Sequence, residues 1–138
     1  MLEIWKQWKI PEITNHKYYI ESIKQESENL KIIISSSIAN PIQKDNYDKI
    51  QFNFLVKAYR VFDEHCRLKL FEQLQEKYGK SFLSNCNYFV VENSKYIKWF
   101  CRNLRSTKTI PSLNHYVLMD SETVVDIIST NKLVVEKI

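Results

Sequence analysis

From Lys49 to Ala58 the chain alternates apolar and polar side chains. Ile50, Phe52, Phe54, Val56 and Ala58 fall on one side and Gln51, Asn53 and Lys57 on the other, interrupted by Leu55. That period of two predicts a half-buried strand. Upstream, Lys17 to Ser37 holds two β-branched and aromatic runs joined by polar Gln25 to Asn29, which predicts a hairpin whose loop is longer than two residues. Ile32, Ile33 and Ile34 are consecutive, so both faces of the second strand should meet apolar material inside a sheet. Asn40-Pro41 and the polar segment KDNYD break the chain before the next strand.

At Asp63 and Glu64 the period changes. Leu70, Phe71, Leu74 and Tyr78 recur every three or four residues, which predicts a helix with acidic residues in its first turn. It should end at Gly79, the single glycine of the sequence, as a left-handed C-terminal cap. Tyr88 to Glu92 reads as a short strand apolar on both faces. Asn93 or Ser94 then caps a second helix with a buried stripe of Ile97, Phe100, Cys101 and Leu104. A loop from Arg105 to Leu113 leads to a strand at His115 to Met119. Asp120 or Ser121 is expected to cap a third helix that turns Val124, Val125, Ile127 and Ile128 inward, and Leu133 to Ile138 closes as a strand. This order lacks regular βαβ repetition and predicts a single α+β domain over residues 1–138, a mixed or mainly antiparallel sheet of five to seven strands with about three helices packed on one side.

Composition narrows the classes. With 138 residues, 44% hydrophobic and 26% charged, the chain matches an ordinary globular domain able to bury its own core. One glycine disfavours the glycine-rich loops that cradle phosphates. Cys66, Cys86 and Cys101 are odd in number and lack CxxC spacing, which predicts free thiols in the cytoplasm. The N-terminal MLEIWKQWKIPEI interleaves charges with apolar residues, unlike an export signal, and no apolar run reaches the length of a membrane span. A net charge of +4 is spread through the chain and selects no partner class.

The three histidines and three cysteines have no zinc-ligand spacing, so neither metal nor cofactor is expected, and His115 on a central strand reads as a hydrogen-bonded core residue. A thiol nucleophile needs a histidine beside it. His65 adjoins Cys66, and His115 reaches Cys101 if the second helix packs beside its strand, which leaves a cysteine-dependent hydrolase as one alternative. Asp63, Glu64 and Arg67, with Arg60 before them, have the spacing of a surface ion-pair network. The same residues with Tyr59 form a charged and aromatic patch suited to a protein interface. Tyr96 and Trp99, with Arg102, make a second patch. Lys98, Arg105 and Lys108 beside them keep a small RNA or single-stranded DNA binder open as another alternative. Trp5 and Trp8 read as half-buried packing residues or an exposed anchor.

The runs AYRVFDEHCR at 58–67, VENSKYIKWF at 91–100 and NHYVLMDSETVVDIIS at 114–129 together resemble small bacterial immunity proteins of polymorphic and contact-dependent growth inhibition toxin systems. The resemblance covers most of the chain at the level of pattern. It implies a cytoplasmic, non-enzymatic protein that binds a cognate toxin domain and neutralises it by steric occlusion, and it assigns no site residues. The residues expected to contact that partner are Tyr59, Arg60, Asp63, Glu64, Arg67, Tyr96, Trp99 and Arg102.

Overall fold

The computed structural model describes residues 2–13, 18–36, 48–84, 87–104 and 112–138. The break at Asn40-Pro41 and residues 44–47 of KDNYD, residues 105–111 of the loop expected from Arg105 to Leu113, His16 and Cys86 lie outside the described residues. The strands are β1 (Ile4–Gln7), β2 (Tyr18–Glu26), β3 (Asn29–Ser36), β4 (Lys49–Asp63), β5 (Tyr88–Glu92), β6 (Asn114–Met119) and β7 (Thr123–Lys137). They form one seven-stranded sheet in the order β1-β5-β6-β7-β4-β3-β2, antiparallel at every pairing. A 3₁₀ turn at Glu64–Arg67 runs into α1 (Leu68–Tyr78), followed by α2 (Ser81–Ser84) and α3 (Lys95–Arg102). The fold is α+β, with the sheet by far the larger part. No helix among the described residues is long and apolar enough to cross a membrane.

Two long strands bend the sheet. β4 and β7 pair along most of their length, but their register shifts on both sides of Val56, which faces Ser129. Irregularities of this kind kink a strand and increase its twist. The Ser129 hydroxyl, fully buried, lies 3.2 Å from the Leu55 carbonyl at the kink. The bend brings the two halves of the sheet face to face. Phe52 of β4 meets Tyr88 of β5 at a ring separation of 6.3 Å, although β7 and β6 stand between those strands in the sheet. In a flat sheet three strand spacings would hold them about 14 Å apart. Closure is completed by the Asp120 carboxylate, which accepts a hydrogen bond from the Ile20 backbone N–H at 2.8 Å.

The inner core lies between the halves. Leu30, Ile32 and Ile34 of β3, Phe52 and Phe54 of β4, and Val125 and Ile127 of β7 are all buried there. Trp8 and Ile10 fold in after β1 and pack against it, with the Trp8 ring 4.7 Å from Tyr116. The outer face of the second half carries the helices. Leu70, Phe71 and Tyr78 of α1 and Phe82 and Leu83 of α2 cover Trp5, Phe89, Val117 and Val124. Gly79 ends α1 with its N–H on the Gln75 carbonyl and a φ of 96°. The positive φ expected of this glycine is present, but its ψ of 161° sends the chain away extended.

Four local expectations are corrected. The β2–β3 turn is Ser27-Glu28, two residues, made possible by a positive φ of 56° at Ser27. Residues 123–137 form one continuous strand, where a third helix and a separate final strand were expected. Val124, Val125, Ile127 and Ile128 are fully buried because this strand is apolar on both faces. Asp120, expected to cap a helix, closes the β6–β7 turn by accepting from the N–H groups of Glu122 and Thr123. Finally, α3 buries Tyr96. Ile97, Phe100 and Cys101 are only half-buried, and Leu104 is exposed beyond the helix end.

Candidate functional site

Period two along β7 determines where Asp126 points. Val125 and Ile127 enter the inner core, so Val124 and Asp126 face the helices. Directly opposite them on β4 stand Phe62 and Arg60. Asp126 is fully buried, and an isolated carboxylate there would be prohibitively costly. Its oxygens are saturated instead. Oδ2 accepts from Arg60 Nε at 3.0 Å and from Arg67 Nη1 at 2.7 Å, while Oδ1 faces His115 Nε2 at 2.8 Å.

The chain of contacts continues through His115. Its Nδ1 lies 2.7 Å from the Ser94 hydroxyl, and that oxygen also accepts from the Ile97 N–H at 3.0 Å as the N-cap of α3. The assignment that satisfies every group has the Ser94 O–H donating to Nδ1 and the Nε2–H donating to Asp126. One polar line thus runs from the start of α3, across β6, to β7 and the two arginines. Burial alone would raise the pKa of Asp126. The hydrogen bond from His115 and the charge of Arg67, then that of Arg60, outweigh it and hold the carboxyl at about 2.

Above this line the arginines rest on aromatic rings. The Arg60 guanidinium carbon sits 4.0 Å from the Tyr96 ring centroid, and Arg60 and Arg67 flank Phe62 at 5.4 and 5.1 Å. Tyr96 meets His115 edge-on and stacks against Trp99 at 5.8 Å. Burial pushes the Tyr96 phenol above its ordinary pKa, with the Arg60 charge opposing. Trp99 remains 51% exposed, and Arg60 is 38% exposed against 13% for Arg67. The outcome is a stack of Arg60, Tyr96 and Trp99 at the surface whose inner end is fastened to a buried charge.

Of the eight residues expected at a site, the fold brings Arg60, Arg67, Tyr96 and Trp99 together. Tyr59 is not beside them: it packs against the inner core on the opposite face of β4. The expected ion pairs among Asp63, Glu64, Arg60 and Arg67 do not form, because both arginines turn to Asp126. Asp63 caps the 3₁₀ turn by accepting from the His65 N–H, and Glu64 lines a separate groove. Arg102 is exposed in the last turn of α3. Neither Asp126 nor Phe62 was anticipated. The signal for Asp126 was in plain view, a lone acid inside the run VVDII, since a charge among buried β-branched residues requires partners.

Ser94, His115 and Asp126 carry the residue types of a hydrolytic triad. Here the Ser94 hydroxyl is also the cap of α3, and Ser94 and His115 are buried, at 4% and 2% exposed. The ring nitrogens of His115 are bonded to Ser94 and Asp126 rather than to Cys101. Among the described residues, no group of three or more His, Cys, Asp or Glu is placed to hold a metal ion. Comparison of the chain with protein-family models, curated proteins and solved structures returns no match.

Ser94→Ala should cost about 2 kcal/mol, since it removes a helix cap and strands the buried Nδ1 of His115. A fall in the urea midpoint at unchanged denaturant dependence will report it. A midpoint equal to that of the parent chain would refute the polar line as drawn.

Proposed function

We propose that this protein binds a bacterial toxin domain in the cytosol and neutralises it by covering its working surface, catalysing nothing itself. The observation that carries the reading is the Arg60–Tyr96–Trp99 stack. Exposed tryptophan, tyrosine and arginine are the side chains that dominate protein interfaces, and their value rises when their conformations are set before binding. Here the buried Asp126 fixes Arg60, and Tyr96 lies between Arg60 and Trp99. Such a surface presents rigid area at little entropic cost. The resemblance of residues 58–67, 91–100 and 114–129 to immunity proteins supplies the class of partner.

The test pairs the chain with the C-terminal domain encoded immediately upstream of its gene. Co-expression should restore growth of cells producing that domain, and titration calorimetry should detect a tight complex. Trp99→Ala should weaken the complex by about 2 kcal/mol, roughly thirtyfold, with no loss of thermal stability. Absence of both rescue and complex, or a complex indifferent to Trp99, would overturn the reading.

One feature favours a second reading. Lys95, Lys98 and Arg102 are exposed on α3 with Trp99, a combination that stacks on bases and neutralises phosphates. Under that reading an oligouridine binds and is released steeply as salt rises.

A further inference from the structure

A concave surface lies between α1, the start of β2 and the β6–β7 turn. It has a volume of about 940 Å³. Its apolar wall is unusual for its exposure: Leu68 is 49% and Tyr19 43% accessible, with Phe71 and Leu83 deeper in. Its charged groups are Glu64, Glu72 and Asp120 against the single cation Lys80, in a chain whose net charge is +4. Asp120 is engaged with three backbone N–H groups. Glu64 and Glu72 form no salt bridge among the described residues. Tyr18 also borders the groove but buries its side chain in the inner core.

We propose that this groove receives a basic, apolar-stemmed segment of a partner protein, with an arginine or lysine seated between Glu64 and Glu72 and its methylene chain along Leu68, Phe71 and Tyr19. The carboxylates are not gathered tightly enough to hold a metal ion, so their charge is spread over a length that suits an extended side chain. Arginine and lysine join an apolar stem to a cationic head, which matches a wall that is apolar below and acidic at its rim. The exposed Tyr19 ring adds a cation–π platform, and the cationic N–H groups supply the donors that carboxylates accept.

Fluorescence anisotropy with a labelled peptide alternating arginine and leucine tests it, without any toxin domain present. The peptide should bind the full chain, and its counterpart alternating aspartate and leucine should not. Glu64→Gln combined with Glu72→Gln should weaken binding about tenfold or more while leaving the melting temperature close to that of the parent chain. No binding of the arginine peptide, equal binding of the acidic one, or indifference to the glutamine substitutions overturns the proposal. So does displacement of the peptide by spermidine at equal concentration, which would make the groove a polyamine site, or self-association of the chain abolished by the same substitutions, which would make its occupant a second copy.

Discussion

Asp126→Asn is expected to destabilise the protein by about 3 kcal/mol or more, the usual consequence of breaking a buried ion pair on one side only. Asparagine matches the shape of aspartate but not its valence. One end of its amide is a donor, and every group around Asp126 is already donating: Arg60 Nε, Arg67 Nη1 and His115 Nε2. The substitution sets donors against each other and leaves Arg67, only 13% exposed, beside no counter-charge. Arg60 is nearer to water, so Arg60→Met should cost less, about 1 kcal/mol, and a double change of Asp126 and Arg67 to leucine and methionine should recover much of the loss. Urea unfolding of the set checks the order. If Asp126→Asn unfolds at the parent's midpoint, the carboxylate is not the anchor of the arginine stack.

The same group makes the fold sensitive to acid in one direction. The carboxyl titrates at about 2 in the folded protein against 3.8 for an ordinary aspartate, so the folded state favours the ionised form. Its contribution, about 2 kcal/mol from that displacement, is complete above the unfolded value and is lost as pH falls through the folded one. Stability measured between about pH 5 and pH 2 should therefore decline more steeply for the parent chain than for Asp126→Asn. Parallel profiles would show that other carboxylates control the acid limb.

Elements governed by their own neighbours could be read from the chain. Tyr88 to Glu92 is a strand with the expected bounds, Ser94 caps the next helix, and the spacing of Leu70, Phe71 and Leu74 places α1 on the core. His115 is the hydrogen-bonded core residue anticipated. The failures share a cause, which is that tertiary partners decided the outcome. Val124, Val125, Ile127 and Ile128 satisfy a helical stripe and a strand buried on both faces equally well, and β4 and β6 on either side select the strand. β1 is only four residues long, Ile4 and Trp5 followed by polar Lys6 and Gln7, and it is a strand because β5 offers an open edge. Arg60 and Arg67 looked toward Asp63 and Glu64 because those lie nearby in sequence. Their true partner is 66 and 59 residues away, a distance that local spacing cannot bridge.

Phe52→Ala is the substitution that tests the bent sheet, and its expected cost is about 3 to 5 kcal/mol, the range for a fully buried phenylalanine. Phe52 is 0% exposed and sits where the two halves meet, in ring contact with Phe54 of its own strand, Trp8 of the N-terminal segment and Tyr88 of β5. No single neighbour can move into the vacated space without giving up contacts elsewhere, so the cavity should persist. Against a total of about 5 to 15 kcal/mol for a domain, the loss is large and should lower the melting temperature by roughly 10 to 20 °C. Phe52→Leu, which leaves most of the volume filled, should cost less than half as much. The damage should also be local. Hydrogen exchange should quicken in β2, β3 and the segment around Trp8 before it does in β5 and β6, because Phe52 joins the first half of the sheet to a second half that keeps its own cover of α1 and α2. Uniform exchange across all seven strands, or a melting temperature within about 3 °C of the parent, would mean that the halves are not held together by this aromatic contact.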